Sequence, residues 1–390
     1  MKVAIVAESF LPQTNGVVHS VLRTLEHLAE RGIEATVIAP DAPPGHAQPT
    51  TVAGAAVVPL VSWSFPGYED VRVAGGRVEP VERILGEFQP DVVHLASPYV
   101  LGWRGVRAAN TLGIPSVAVY QTDVPSFAVR YGFPWAHKLL STRVRDIHSA
   151  ATLTLAPSTA SIDVLAGLGV QRVRLWRRGV DTGRFDPALR DEALRLRLAP
   201  EGEKLVGFVG RLAREKQVQD LASLTDVPGT RLVVVGDGPE RRRLERLLPD
   251  ARMTGMLHGD ELAATMASLD VLVHTGESET FCQVVQEALA SGVPVVAVRA
   301  GGPIDLVDHS RTGWLYPPGD LAAMADHVRD LTGDESKRQA FGRAARASVA
   351  GRTWRSICTE LIGHYSSAIE AYGGLRPEDL LPKKRRRALR

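Results

Sequence analysis

The chain has 390 residues, 44% of them apolar and 23% charged, which is long enough for two domains and typical of a globular protein. A formal net charge of +2 argues against a nucleic-acid-binding protein. Because neither Cys282 nor Cys358 belongs to a CxxC pair, we expect a reducing cytoplasmic setting and neither a disulfide framework nor a structural zinc site.

In the first half of the chain, short β-branched runs alternate with helical patterns. Lys2–Ala7 is interpreted as a buried strand and not as a signal peptide, because the apolar run is short and Glu8 follows it directly. Val17–Arg31 has apolar residues at helical spacing and stops at Gly32. Further strands are predicted over Ala35–Ala39, Val92–Leu95, Ser116–Tyr120 and Leu153–Ala156. This alternation predicts an α/β fold with a doubly wound, mostly parallel sheet.

The same pattern restarts after the polar segment Pro200–Glu203. Its strands are predicted over Leu205–Val209, Leu232–Val235, Val271–His274 and Val295–Ala297. We therefore expect two Rossmann-like lobes, residues 1–180 and 181–354, with a hinge near Arg177–Pro187. A last helix is predicted over Arg352–Ala371, with residues 355–372 packing back on the first lobe through an apolar face of Ile357, Leu361, Tyr365 and Ile369.

Residues 373–390 form a basic tail that ends in the cationic run Lys383–Arg390. One interpretation of this run is a solvated terminus. The other is attraction to anionic lipid, to which each basic residue near such a surface contributes about 1 kcal/mol. No apolar stretch of the chain is long enough to span a bilayer, so we expect any membrane contact to be peripheral.

The loops that follow the predicted strands hold the candidate site residues. After the first strand, Asn15-Gly16 opens a helix whose amino end favours anions, although the GxGxxG pattern of a dinucleotide site is missing. In the second lobe a strand leads into Gly210, and Arg211 and Lys216 follow, so both cations are candidates for neutralising a leaving diphosphate. A pair of ordinary solvated cations is the alternative interpretation.

The most informative segment, His274–Pro294, has the pattern of a strand, an acidic loop and a helix. Glu279 lies in the loop, where we expect it to face a sugar. Glu287 lies among apolar residues of the helix, where its carboxylate requires donors such as the two hydroxyls of a ribose. The alternatives are a helix-terminal charge for Glu279 and a surface position for Glu287. The glycine turn Gly236–Pro239 either shapes a nucleotide pocket or is purely structural.

Several other residues have open or structural interpretations. His94 and His274 either line a site or belong to the sheet, and with no carboxylate cluster predicted beside them we expect no metal site. Cys282 is interpreted as a small buried side chain. The aromatic residues of the predicted loop around Trp63, Phe65 and Tyr68 either form an acceptor-side lid or pack on their own lobe.

Glu279 and Glu287, with seven residues between them, resemble the E-x7-E motif of retaining glycosyltransferases of family 4, which have the GT-B fold. The resemblance implies an acceptor-side first lobe and a nucleotide-sugar-binding second lobe. It covers essentially the whole chain, through a phosphate-binding segment at Gly210–Lys216, glycine turns at Gly236–Pro239 and Ala300–Pro303, and an interdomain hinge at Arg178–Asp181 with Phe185.

The resemblance also implies a role for each matching residue. Gly16, Arg211 and Lys216 would hold the donor diphosphate. Glu279 would contact the transferred hexose and Glu287 the ribose. The expected donor-binding set is completed by Gly236, Thr280, Phe281 and Cys282. In the first lobe many relatives have a histidine where this chain has Gln121, so Asp123 is the expected catalytic residue there, alongside Arg211, Lys216 and Glu279.

The finer resemblance is to actinobacterial mannosyltransferases that use GDP-mannose to build mannolipids. It implies mannose transfer with retention to a lipid or glycolipid, without cofactor or metal, in the cytoplasm or at the inner face of the plasma membrane. The chain has no D-x-D pair, the metal clamp of the other main glycosyltransferase fold. First-lobe loops around Ser62–Gly76 and Val124–His137 are expected to choose the acceptor. Two alternatives stay open, a UDP-sugar-dependent glycolipid transferase and a non-catalytic nucleotide-sugar-binding protein, whereas the missing GxGxxG disfavours an NAD-dependent oxidoreductase.

Overall fold

A computed structural model describes residues 1–65, 68–130 and 132–373 of the chain. The described residues divide into two compact units, Arg178–Trp354 and a unit made of Met1–Arg177 with residues 355–373. Residues 374–390, which include nearly all of the predicted basic tail, lie outside the described residues. None of the described helices has the length and apolar character that crossing a membrane requires.

The first unit is built on a sheet of the doubly wound type. Its strands are β1 (Lys2–Ala7), β2 (Glu34–Pro40), β3 (Thr51–Val52), β4 (Ala55–Leu60), β5 (Trp63–Phe65), β6 (Tyr68–Val73), β7 (Val92–Ala96), β8 (Ser116–Val119), β9 (Leu153–Ala156) and β10 (Val173–Leu175). The helices between them are α1 (Gly16–Glu30), α2 (Glu79–Phe88), α3 (Leu101–Leu112), α4 (Val124–Arg130), α5 (His137–Ala150) and α6 (Thr159–Gly167).

The strand order in the main sheet of this unit is β10-β9-β8-β7-β1-β2-β4-β3, and only the short β3 runs antiparallel to its neighbour. The order reverses between β1 and β7. Alternate residues of β1 pack on opposite faces, since Val3 and Ile5 join the cluster that contains α1 whereas Ala4 and Val6 join the cluster that contains α2 and α3. Helices therefore cover both faces, as a parallel sheet requires.

The prediction that Trp63, Phe65 and Tyr68 lie in a loop is wrong, because all three residues lie in strands. Strands β5 and β6 pair antiparallel and form a two-stranded sheet of their own. Aromatic residues have a high preference for strands, which outweighs the turn signal read from the sequence.

The second unit contains a fully parallel sheet. Its strands are β11 (Lys204–Val209), β12 (Thr230–Val235), β13 (Arg252–Gly255), β14 (Val271–His274), β15 (Val295–Val298) and β16 (Gly313–Tyr316). Its helices are α7 (Glu192–Leu198), α8 (Arg241–Leu247), α9 (Gly259–Ser268), α10 (Gln283–Ala290), α11 (Pro303–Leu306), α12 (Leu321–Gly333) and α13 (Glu335–Val349). The order β13-β12-β11-β14-β15-β16 is the Rossmann order, which reverses between β11 and β14.

The last helix, α14 (Trp354–Tyr372), belongs to the core of the first unit. Leu361 and Tyr365 are fully buried, and the Tyr365 hydroxyl lies 2.7 Å from Nδ1 of His94. Burial lowers the pKa of His94 to about 4, so this histidine is a neutral core residue. The predicted apolar face is wrong at Ile369, which is 36% exposed while Ala368 is buried, because a face followed in steps of four drifts away from the 3.6-residue repeat.

Candidate active site

The candidate site lies at the carboxyl ends of β11 and β14, where the strand order of the second unit reverses. The loops after these strands are tied together by side chains. The Thr275 hydroxyl donates to the carbonyl oxygen of Lys216 over 2.7 Å. Gln217 and Glu277 exchange two hydrogen bonds of 3.2 Å. A crevice at such a reversal is where open α/β sheets bind their ligands.

Glu279 and Lys216 form an ion pair between these two loops. The Lys216 ammonium donates to Oε1 of Glu279, and Nε2 of His274 lies 3.4 Å from the same oxygen. Burial by itself would raise the pKa of Glu279, but the Lys216 and His274 side chains outweigh it and hold that pKa well below its usual range. Burial likewise opposes the charge of Lys216, whose pKa is nevertheless raised by Glu279. Both side chains are therefore charged at neutral pH.

His274 is a site residue that the sequence analysis did not assign. No carboxylate was expected beside it, whereas the structure places Glu279 there. The His274 ring is buried and stacks on Phe208, with ring centroids 6.5 Å apart and planes 5° from parallel. Its position as the last residue of β14 was the available signal, because side chains at the carboxyl ends of parallel strands border the ligand crevice.

His274, Glu279 and Cys282 each offer one ligand atom to a metal, and these atoms lie within 4.8 Å of one another. The chemistry of the set does not suit a cation. The Lys216 ammonium already binds the Glu279 oxygen and would repel a metal ion. Burial is the main cause that raises the pKa of the Cys282 thiol well above its usual value. This shift disfavours the thiolate that a metal requires. The residues fit an ion pair better than a metal centre.

Two glycines hold the backbone of the Glu279 loop. A Cβ atom on Gly302 would lie 2.0 Å from the carbonyl oxygen of Phe281, and one on Gly301 would lie 2.4 Å from that of Glu279. The Gly302 amide donates to the Glu279 carbonyl over 2.7 Å. The Phe281 side chain is 2% exposed and packs in the core, so it anchors the loop, and Thr280 beside it is half-buried.

Gly236 lies where two backbones meet. A Cβ atom there would be 1.9 Å from the carbonyl oxygen of Gly210, and the φ of Gly236 is 136°, a conformation that favours glycine. The Gly210 amide donates to Val235 over 3.0 Å. These contacts explain why the turn requires a glycine, which supports the segment that contains Arg211. A role of Gly236 in donor binding stays a prediction.

Two arginines of the second unit differ in their surroundings. Arg211 is exposed, and its guanidinium has no ion-pair partner among the residues that the structure describes. Arg178, which the sequence analysis placed only in the hinge, is buried; burial lowers its pKa to about 10, and the Glu279 carboxylate opposes that shift. Gln286 of α10 donates to the Arg178 carbonyl over 3.0 Å and fixes the backbone there.

Glu287 is half-buried on α10. Burial raises its pKa to about 7, although the Gln283 side chain and the charge of Arg184 act in the opposite direction. Sequence analysis predicted that the apolar residues around Glu287 would disfavour an unpaired carboxylate, and the raised pKa agrees with this prediction.

The first unit has its own polar cluster where its strand order reverses. Oε1 of Glu8, directly after β1, accepts from the amides of Tyr99 and Gly102 over 2.6 and 2.7 Å at the start of α3. Glu8 was not among the predicted site residues, although its position directly after the first strand was a signal. Gly16 is the exposed first residue of α1, and the Asn15 side chain before it caps the helix.

Asp123, the expected first-lobe catalytic residue, stabilises the start of α4. Its two carboxylate oxygens accept from the amide and the hydroxyl of Ser126, over 3.2 and 2.6 Å. Gln121, at the position where a histidine was expected, is buried. A helix-capping role accounts for these contacts, and a catalytic role for Asp123 stays a prediction.

The chain matches two family models and several known proteins. The model described as "Glycosyl transferases group 1" matches residues 190–348, and "Glycosyltransferase Family 4" matches residues 14–184. A GDP-mannose-dependent alpha-mannosyltransferase of Mycobacterium tuberculosis is 51% identical over 94% of this chain and 97% of its own length. A protein of the same name from Mycolicibacterium smegmatis is 49% identical over 95% of this chain and 98% of its own length.

This chain belongs to the glycosyltransferases of family 4. Among solved structures, the sucrose-phosphate synthase of Thermosynechococcus elongatus superposes with a TM-score of 0.80 at 21% identity, over 95% of this chain and 99% of that one. The expected GT-B fold of the glycosyltransferase is confirmed. The oxidoreductase alternative is set aside. The ion pair of Lys216 and Glu279 lies within the group 1 match, and Gly16 and Asp123 lie within the family 4 match.

Proposed function

We propose that this glycosyltransferase moves mannose from GDP-mannose to a hydroxyl of a lipid or glycolipid, with retention of the anomeric configuration. The observation that carries the proposal is the Lys216–Glu279 pair at the switch point of the second unit. The choice of donor is supported by the two relatives at 51% and 49% identity, both of which are named GDP-mannose-dependent alpha-mannosyltransferases.

In this proposal the second unit, Arg178–Trp354, binds the nucleotide sugar. Lys216 and Arg211 neutralise the donor diphosphate, and the exposed guanidinium of Arg211 is able to turn toward it. Glu279, fixed by Lys216 and His274, accepts hydrogen bonds from hydroxyls of the transferred hexose. Glu287 accepts from the ribose hydroxyls, which stabilise the ionised form that burial disfavours.

The proposed transfer takes place on one face of the sugar. The bond from the anomeric carbon to the diphosphate oxygen breaks, and the bond to the acceptor oxygen forms on the same face through an oxocarbenium-like state. The acceptor proton passes to the departing phosphate oxygen. Lys216 and Arg211 stabilise the charge that develops on the leaving group, which is the role that a metal has in other transferases, so we propose that no metal or cofactor is used.

The first unit, residues 1–177 with 355–373, is the proposed acceptor side. Gly16, at the amino end of α1, offers its backbone to the diphosphate, and Asp123 is the proposed catalytic contact. With a lipid acceptor, we propose that the enzyme works in the cytoplasm and contacts the membrane peripherally.

The test of the donor is calorimetric binding of GDP and of UDP to the purified protein without added metal. Tight GDP and weak UDP binding, followed by mannosyl transfer from GDP-mannose to a lipid extract, is the expected result. Preferential UDP binding would replace the donor with a UDP-sugar and leave the assignment of the site intact. Binding of neither nucleotide would contradict the proposed site.

A further inference from the structure

The segment from Val124 to Arg145 contains cations and no acids. It comprises α4, a 3₁₀ turn over Pro134–Ala136 and the first part of α5. Its 22 residues include four arginines or lysines and no aspartate or glutamate, whereas the whole chain has 46 basic and 44 acidic residues. Arg145 pairs with Asp146, the residue after the segment, over 2.8 Å. The segment still has an excess of positive charge in a nearly neutral protein.

Large apolar side chains project from the same segment. Trp135 is 76% exposed, Leu139 68%, Phe133 52% and Val129 43%. None of the residues of the 3₁₀ turn is buried. The rings of Phe133 and Trp135 lie edge to face with centroids 6.3 Å apart, so they form one continuous apolar patch. Exposed patches of this kind mark interaction sites in soluble folds.

The backbone of the turn is held in place. The Phe133 amide donates to the Ala128 carbonyl over 2.8 Å, and the Ala136 amide donates to Phe133 over 3.0 Å. Further along α5, Val144 and Ile147 are buried and attach the helix to the unit. The apolar tips therefore stand on a fixed scaffold.

Cations border the apolar patch. Lys138 and Arg143 of α5 are both exposed. The Arg143 guanidinium lies over the Trp103 ring of α3, 4.9 Å from its centroid, and Arg107 lies near the same ring. We define the docking surface as Val129, Phe133, Trp135, Lys138, Leu139 and Arg143.

We propose that the docking surface seats this enzyme on an anionic lipid bilayer. Phe133 and Trp135 enter the interface at the depth of the headgroups, and Lys138 and Arg143 bind lipid phosphates. Aromatic rings with cations beside them are the composition that such interfaces favour, because rings replace lipid contacts while cations meet the negative surface. A second copy of the chain suits this surface less, since a two-fold contact would place cations against cations.

The proposal rests on the proposed function, in which the acceptor is a lipid. Helix α4 begins directly after Asp123, at the carboxyl end of β8. A bilayer against the docking surface therefore lies next to the loop that contains the proposed acceptor-side residue. The acceptor headgroup would then reach the enzyme without leaving the membrane.

The test measures binding of the full chain to vesicles by co-sedimentation. Mixed phosphatidylcholine–phosphatidylglycerol vesicles are compared with phosphatidylcholine alone. We expect the wild type to bind only the anionic vesicles, more weakly as salt rises. The double variant Phe133→Ser/Trp135→Ser should bind about tenfold more weakly, and Lys138→Ala should bind about fivefold more weakly.

Matched controls remove similar groups elsewhere. Leu196 is 63% exposed on α7, and the Arg311 side chain is 75% exposed in the second unit. Leu196→Ser and Arg311→Ala should bind vesicles as the wild type does. Unchanged vesicle binding in the Phe133/Trp135 and Lys138 variants would overturn the proposal. A change from dimer to monomer in these variants, without a change in vesicle binding, would assign the surface to a second copy and overturn it too.

GDP affinity, measured on the same samples, separates this proposal from the proposed function. It should be equal in the wild type and in every surface variant. A protein that fails to bind GDP but retains surface-dependent vesicle binding would contradict the proposed donor and leave the docking surface supported. Normal GDP binding with no vesicle binding would contradict the docking surface and leave the proposed donor supported.

Discussion

The Lys216 ammonium binds Oε1 of Glu279, and this contact joins the loops that follow two adjacent strands, β11 and β14. The two residues are 63 positions apart in the chain. Burial disfavours the charged form of each side chain, and the opposite charge of its partner offsets that cost. Each residue therefore keeps the other charged in a partly buried position.

Replacing Lys216 by alanine should reduce transfer by a factor on the order of a thousand, since it removes a cation that stabilises the leaving diphosphate. It also leaves the Glu279 carboxylate without its ammonium partner, which should lower the free energy of unfolding by about 2 kcal/mol while the fold persists. Glu279→Ala should likewise abolish transfer. Steady-state kinetics and urea unfolding measure the two effects.

The double variant Lys216→Met/Glu279→Gln is the control for the Lys216 prediction. Without a buried unpaired charge, it should recover most of the lost stability but none of the activity. Near wild-type activity in either folded alanine variant would remove that residue from the site.

Glu287 should make the stability of the second unit depend on pH. Its pKa is raised from 4.5 to about 7 in the folded protein, so the folded state binds this proton more tightly than the unfolded state does. Stability is therefore lost as pH rises through the window from 4.5 to 7. Glu287→Gln should raise the free energy of unfolding at pH 8 by an amount on the order of 2 kcal/mol and leave it nearly unchanged at pH 4.5.

The same residue predicts a proton release on binding. If ribose hydroxyls donate to Glu287, GDP stabilises the ionised carboxylate and lowers its pKa, so GDP binding near pH 7 should release a fraction of a proton. Calorimetry in buffers with different ionisation enthalpies measures this release, which should disappear in Glu287→Gln. Equal release in both proteins would separate Glu287 from the nucleotide.

Gly302→Ala should be strongly destabilising, because its Cβ would lie 2.0 Å from the Phe281 carbonyl oxygen and displace the loop that holds Glu279. We expect a loss of about 3 kcal/mol in the free energy of unfolding together with a loss of transfer. Gly363→Ala in α14 is the matched control: nothing lies within 4 Å of its added Cβ, and alanine favours a helix. If both variants had wild-type stability, the close approach at Gly302 would be disproved.

Arg211→Ala should weaken GDP binding by about tenfold or more and leave stability unchanged, because the side chain is exposed. Arg211→Lys should retain part of the affinity, since it keeps the charge but loses the bidentate geometry. Arg311→Ala is the control for removal of an exposed arginine, and titration calorimetry is the measurement. Wild-type GDP affinity in Arg211→Ala would leave Lys216 as the proposed phosphate-binding cation.

The local pattern of the chain was sufficient to predict most of the central strands and both sheet series. Alternating β-branched runs and helical repeats indicate the type of each element and its apolar face. Both are properties of the local sequence. For the same reason the raised pKa of Glu287 was foreseeable from the apolar residues around it. The edge strands β13 and β16 were missed because their sequences, Arg-Met-Thr-Gly and Gly-Trp-Leu-Tyr, contain no run of β-branched residues.

Long-range contacts were decided by the tertiary structure. The order of the strands places the loop of Lys216 beside the loop of Glu279, and the local sequence around either residue does not show that their side chains pair. Gly236 shows the same limit, since its requirement for glycine comes from the Gly210 carbonyl on the neighbouring strand. Sequence periodicity determines which side of an element is buried, whereas the identity of the atoms that meet there depends on which elements pack together, and that is set by the whole fold.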